Sequence, residues 1–225
     1  MNKEELKPVR TLKKNHTSLT GKVSNSDGDL NSFESSLERD FILLTNFDSN
    51  VEKFVEQPTK IEYHDEFGRL RHYTPDFLVF YRNKALDQPY YKPTLVEIKY
   101  SERLKKDRDI LKPKFDAANI HCRKKGWEFK VVTEKDIRTD FLYNVKFLSG
   151  YLNSSEVKNE DINLLIDSIS EMEIATPLKL IDSLSSEDKV KATLLYTIWY
   201  MLSNHLIGAD LSIRLTMKSE IWSRI

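Results

Sequence analysis

One stretch, Tyr73 to Tyr100, constrains this chain more than any other. It holds two strand-like runs, Phe77 to Tyr81 and Thr94 to Ile98, joined by a polar loop. Asp76 stands at the mouth of the first run, and Glu97 and Lys99 lie two residues apart at the end of the second. Side chains on a strand alternate between faces, so Glu97 and Lys99 point one way while Val96 and Ile98 point into a core. If the two runs pair as a hairpin, Asp76, Glu97 and Lys99 converge at one edge of a sheet. Two carboxylates and a lysine at one point suit a hydrolytic site built on Mg²⁺, with Mn²⁺ as its substitute. The carboxylates hold the hard cation, the metal stabilises charge on a phosphate, and the lysine orients or deprotonates a water.

Glu-x-Lys by itself carries little weight, because Glu5, Glu128, Glu156 and Glu187 each have a lysine two residues on. Only the Glu97 copy follows an apolar strand that carries Pro-Asp about twenty residues upstream. The bland alternative is a solvated stripe on an ordinary strand. Against it, an acidic residue opening an apolar strand is costly if it is buried without a partner.

A chain of 225 residues with 40% hydrophobic residues has room for one large or two small domains, each with a core. Its net charge is zero, so attraction to DNA must come from local patches and not from a whole-protein field. The single Cys122 rules out an internal disulfide and a cysteine-based zinc site, and it fits a reducing cytosol. No signal-peptide pattern and no apolar run near the length of a membrane span occurs, so no membrane association is expected.

Met1 to Asn31 is polar, with a basic bias from Lys3, Lys7, Arg10, Lys13, Lys14 and Lys22. It reads either as a solvated tail or as an arm on phosphates. Ser35 opens a helix running to about Asn46, with Leu37, Phe41 and Leu44 on its buried face. Glu38 has two readings here: the acidic member of a capping box with Ser35, or a catalytic carboxylate. Val51 to Glu56 continues helical or extended until Gln57-Pro58 breaks it. Lys60 to His64 reads as a strand and Asp65 to Gly68 as a turn, so a hairpin leads into Arg71 to Tyr81. Asn83 to Pro93 is a loop whose Tyr90 and Tyr91 can stack on a base or pack against the loop itself.

Ser101 to Lys125 reads as a charged helix, with Ser101 as N-cap, a split or kink at Pro113 and an end at Gly126. Leu111, Phe115, Ala118 and Cys122 are spaced to face the core. This is the densest basic region, and Lys105, Lys106 and Lys112 are its candidate DNA contacts. Asp107, Asp109 and Asp116 alternate with the lysines, however, as they do on a solvated helix face. Trp127 to Thr133 is a strand and Glu134 to Arg138 a short helix. A strand reached through a crossover helix marks an α/β fold with a mixed sheet flanked by helices.

Tyr151 to Ser155 is a polar hinge. Beyond it come helices around Ile162 to Ile169, Leu178 to Leu184 and Lys189 to Ser203. A terminal hairpin from Leu206 to Leu215 and Glu220 to Trp222 follows. The third helix carries Val190, Leu194, Ile198 and Met201 on one stripe, with Trp199 and Tyr200 beside it as core or as anchors for a protein partner. Three helices and a hairpin form a winged-helix arrangement, a module that binds DNA or protein. The expected organisation is a basic arm at 1–33, an α/β domain at 34–152 and a winged-helix-like domain at 153–225.

Glu-Ser-Ser-Leu-Glu-Arg-Asp-Phe around Glu38, Glu-Gln-Pro at Glu56 to Pro58 and Tyr-Thr-Pro-Asp-Phe at Tyr73 to Phe77 stand in order along the chain. Val-Glu-Ile-Lys at Val96 to Lys99 and Val-Val-Thr-Glu-Lys-Asp-Ile-Arg at Val131 to Arg138 complete the set. In combination these motifs resemble the TnsA endonuclease subunit of heteromeric cut-and-paste transposases. The resemblance covers 34–152 well and the C-terminal region more loosely. It implies a restriction-endonuclease-like fold of the PD-(D/E)xK type followed by a winged helix. It also implies Mg²⁺-dependent nicking of the 5′, non-transferred strand of double-stranded DNA at transposon ends. The implied partners are a TnsB-type transposase and a TnsC-type ATPase regulator, and the implied location is the cytoplasm, on the bacterial nucleoid. Carried over residue by residue, the site is Glu38, Asp76, Glu97 and Lys99. The metal ligands this implies are Glu38, Asp76, Glu97 and the Ile98 carbonyl. A stand-alone restriction or repair nuclease of the same fold and a non-catalytic DNA or protein adaptor are the competing readings.

Overall fold

The computed structural model describes residues 35–82, 90–153, 157–172 and 174–224, with the backbone of two further short strands. Those strands, β1 (Gly21–Ser24) and β2 (Leu30–Phe33), pair antiparallel. The rest of the expected basic arm lies outside the described residues, as does the loop tip at Asp87 to Pro89. The chain divides into two compact units, Met1–Ile137 and Arg138–Ile225.

The first unit is built on a four-stranded mixed sheet in the order β3 (Val51–Glu56), β6 (Phe77–Tyr81), β7 (Thr94–Ile98), β8 (Glu128–Val132). β3, β6 and β7 run antiparallel in turn, and β8 lies parallel to β7. The parallel step requires a crossover, which α2 (Ser101–Lys106) and α3 (Arg108–Lys125) provide. A mixed sheet flanked by helices is therefore observed as expected. Every residue of β7 is buried, from Leu95 at 0% to Thr94 at 8% exposed, because both faces of the strand are covered. That removes the solvated-stripe reading of Glu97.

α1 (Ser36–Phe47) begins where Ser35 caps it: the Glu38 N–H donates to Ser35 Oγ at 3.2 Å. Its buried set is Leu37, Asp40, Ile42, Thr45 and Phe47, with Phe41 and Leu44 only partly covered. The three-residue stripe thus undercounted a helix that packs on more than one side. Phe41 still meets Phe77 of the sheet, ring centroids 5.2 Å apart.

Two local expectations are corrected. The run from Arg71 to Tyr81 is not one strand: β5 (Leu70–Tyr73) pairs with β4 (Ile61–His64) as a separate two-stranded ribbon, and Pro75 and Asp76 separate it from β6. Pro cannot donate to a ladder, so the chain changes sheets there. The charged helix divides at Asp107 and not at Pro113, which lies inside α3. Its N-cap is Tyr100, and Ser101 instead gives its N–H to Glu134 Oε2 at 2.8 Å and its hydroxyl to Glu134 Oε1. Glu134 opens α4 (Glu134–Ile137), so this contact ties the end of β7 to the end of β8. Leu111, Ala118 and Cys122 face the core and Gly126 ends α3 in the left-handed region, φ 71°.

The second unit holds α5 (Asp140–Leu148), α6 (Asn159–Met172), α7 (Pro177–Leu184), α8 (Asp188–Ser203) and a hairpin of β9 (Ile207–Ala209) with β10 (Ile221–Ser223). The sequence boundary at 152 leaves α5 in the nuclease-like domain, but α5 belongs here. Buried Asn144 donates to the Leu211 and Ile213 carbonyls at 2.9 and 2.7 Å and accepts from the Leu215 N–H at 2.9 Å. Ser203 Oγ donates to the Leu148 carbonyl at 2.8 Å. Leu194, Ile198 and Met201 are buried, whereas Val190 is 40% exposed. Trp199 is core, 7% exposed and edge-on to Phe147, so it is not a surface anchor.

Candidate active site

The strand register collects the acidic groups. Glu56 pairs with Phe77, and Phe77 with Val96. The residues just beyond those pairs, Gln57, Asp76 and Glu97 to Lys99, therefore gather at one end of the sheet. The Asp76 N–H donates to the Val96 carbonyl at 3.1 Å and its carbonyl accepts from the Gln57 N–H at 2.7 Å. Its carboxylate Oδ2 accepts from the Ile98 N–H at 2.6 Å. Asp76 is thus pinned on β7 by main chain on both sides, which is why a residue outside any strand has a fixed place.

Glu97 is buried, 4% exposed, with both oxygens engaged. Lys99 Nζ lies 2.6 Å from Oε1 and donates to the Ile98 carbonyl at 3.1 Å. The Tyr73 hydroxyl donates to Oε2 at 2.7 Å. Asp76, Glu97, Ile98 and Lys99 are thus brought together. The Glu128-x-Lys130 pair has the same spacing, yet both of its side chains are exposed on β8. Burial, not spacing, separates the two.

The electrostatics describe a site short of positive charge. Burial, then the neighbouring Glu97 carboxylate, raises Asp76 well above the carboxylate range. Burial alone would lower Lys99, but Asp76, Glu97 and Glu38 outweigh it and raise the ammonium above its usual range. Burial and the Glu97 charge push the Tyr73 phenol far above its ordinary value, so it stays a neutral donor.

Glu38 stands in two roles. Ser35 Oγ donates to its Oε1 at 2.9 Å, so the capping contact is real. Its charge also acts on both Asp76 and Lys99, so it lies within electrostatic reach of the other carboxylates. The cap does not exclude it from the site.

Among the described residues no three His, Cys, Asp or Glu side chains lie together closely enough to hold a metal ion unaided. Asp76, Glu97 and the Ile98 carbonyl nevertheless offer hard oxygen donors. That set suits Mg²⁺, which is commonly held by one or two carboxylates, with water and substrate phosphates completing the shell. Lys105, Lys106 and Lys112 are exposed on α2 and α3 and do not join the carboxylates; Lys112 pairs with Asp116 at 2.9 Å. Tyr91 is half exposed and its ring lies 5.8 Å from that of Tyr81. The residue that sequence reasoning missed is Tyr73. It looks like one more strand aromatic, and only the fold shows that its hydroxyl reaches Glu97.

A mixed α/β sheet carrying two carboxylates and a lysine at one end is consistent with a nuclease fold. Two family models match in tandem: one described as TnsA-like endonuclease N terminal over residues 48–134, the other as TnsA endonuclease C terminal over residues 136–211. The chain belongs to the TnsA-type transposon endonucleases, the endonuclease subunits of Tn7-type transposases. Asp76, Glu97 and Lys99 fall inside the first match, and Glu38 lies ahead of it. A search of the curated proteins gives no match. No helix among the described residues is long and apolar enough to cross a membrane.

Proposed function

We propose that this chain is a Mg²⁺-dependent DNA endonuclease that nicks the 5′, non-transferred strand at transposon ends. In this reading it works beside a TnsB-type transposase and answers to a TnsC-type ATPase. The observation that carries the chemistry is the meeting of Asp76, Glu97 and Lys99 at one end of β6 and β7. Asp76, Glu97 and the Ile98 carbonyl, joined by Glu38, supply the oxygens that hold the cation, which Mn²⁺ can replace. When bound, the cation polarises the scissile phosphate and stabilises the leaving oxygen. Lys99 is an ammonium at neutral pH, so as it stands it orients the attacking water by donation and does not act as a base. Of the four helices of the second unit, α6, α7 and α8 together with the terminal hairpin are read as a winged helix. α8 carries two cations, Lys189 and Lys191, and Lys191 is paired with Asp182 at 2.6 Å, so the helix offers little charge to DNA, which favours a protein-facing role for that module.

The test is nicking of end-containing duplex DNA by wild type and Asp76→Ala, with the transposase partner present. Asp76→Ala is expected to abolish cleavage while the circular dichroism spectrum stays native, since it removes a ligand and no core volume. Wild-type rates in the variant at saturating Mg²⁺ would sink the assignment.

A further inference from the structure

We propose that Tyr73 is a positioning residue for the cleavage site. Its phenol claims Glu97 Oε2 and leaves Oε1 to Lys99 and the cation. The inference rests on the function proposed above. It is carried by geometry: a side chain 7% exposed, a carboxylate 4% exposed, and 2.7 Å between hydroxyl and oxygen. A glutamate at the end of a strand can swing about its own side-chain torsions, and a metal ligand that swings is a poor one. The Tyr73 hydroxyl and the Lys99 ammonium, 2.6 Å away on the other oxygen, fix the carboxylate from opposite sides. Such outer partners of metal-binding carboxylates orient the ligand, and their loss typically costs about 10- to 100-fold in metal affinity or activity.

The origin of Tyr73 gives the contact a second consequence. It is the last residue of β5, on the ribbon that leaves the sheet after Glu56 and returns at Asp76. Its ring belongs to the buried cluster formed with Ile61, Leu78, Leu95, Ala118 and Cys122. The ribbon is therefore seated in the core and bonded to the site through one side chain. Tyr73 ties the set of Glu97 to the seating of the excursion that connects β3 with β6.

Tyr73→Phe keeps the ring and its packing and deletes only the hydroxyl. The experiment measures Mn²⁺ binding by calorimetry to the full-length chain without DNA. Nicking kinetics of the chain with its transposase partner are measured alongside. Wild type, Tyr73→Phe and Asp76→Ala are compared. Tyr73→Phe is expected to weaken Mn²⁺ binding about tenfold and to lower kcat by a similar factor at unchanged KM for DNA. Unchanged Mn²⁺ affinity in Tyr73→Phe overturns the proposal, even if the variant melts earlier, because a purely structural phenol would behave in that way. Wild-type Mn²⁺ affinity in Asp76→Ala, or no Mn²⁺ binding by wild type, overturns instead the metal site on which the proposal rests.

Discussion

At the scale of single residues, the site is a contest between burial and charge. Lys99 answers it by placing its ammonium on Glu97 Oε1 and the Ile98 carbonyl. On the proposed mechanism, removing that ammonium takes away a water-orienting donor and also one cation that would repel the metal. Lys99→Ala is expected to slow cleavage about 10²-fold or more while Mg²⁺ half-saturation stays the same or falls. A Mg²⁺ titration of nicking rate checks both parts. Unchanged cleavage with a lower melting temperature would make the lysine structural.

Asp76 gives a pH prediction. Its proton is held more tightly in the folded chain than in the unfolded one, because burial and Glu97 disfavour the anion. From the ordinary value of 3.8 up to the raised folded value, the folded state therefore carries the extra proton. Stability falls as pH rises through that window and levels off above it. Asp76→Asn removes the group. In chelator, its melting temperature at neutral pH is expected above that of wild type, and the difference is expected to vanish under acid conditions. Thermal scans of both proteins across that range provide the measurement. A variant less stable than wild type at neutral pH contradicts the sign.

At the scale of elements, α5 carries the clearest lesson. Its Leu142, Val145 and Leu148 are buried, and Asn144 satisfies two carbonyls and one N–H of the segment from Leu211 to Leu215. Deleting that amide removes three part-buried hydrogen bonds, each contributing about 0.5–1.5 kcal/mol. Asn144→Ala is expected to lower stability by about 2 kcal/mol or more in urea denaturation, with no direct effect on cleavage chemistry. Such a hub is invisible along the chain, because an asparagine in the middle of a helix has no periodicity of its own.

At the scale of the whole molecule, zero net charge means weak long-range steering to DNA. On the function proposed above, a nuclease with a competent site and a weak reader would be held idle until a partner places the DNA over Asp76 and Glu97, when positioning would supply the rate. The isolated full-length chain is expected to cut transposon-end DNA poorly at physiological salt and efficiently once the transposase partner is added. Efficient, end-specific cutting by the chain alone would refute that dependence. The boundary of the two units matters for any truncation in this assay: a cut after Ile137 respects it, whereas a cut after Tyr151 strands the apolar face of α5.

The sequence by itself determined the elements whose signals are local. The Ser35 cap, the Gly126 stop, the turn at Asp65 to Gly68, the strand at Thr94 to Ile98 and the order of helices and hairpin near the C-terminus all follow from short-range backbone and side-chain preferences. Asp76, Glu97 and Lys99 were also legible, because Pro-Asp and Glu-x-Lys flank strands and strand periodicity puts them at one edge. Tertiary structure alone decided the rest. It buried Glu97 and exposed Glu128, identical in local pattern, because β7 is covered on both faces and β8 is a sheet edge. It turned Trp199 inward, moved α5 into the second unit and brought the Tyr73 hydroxyl to Glu97 across 24 residues. Each of these outcomes depends on which surfaces meet in space, and no short-range preference along the chain encodes that.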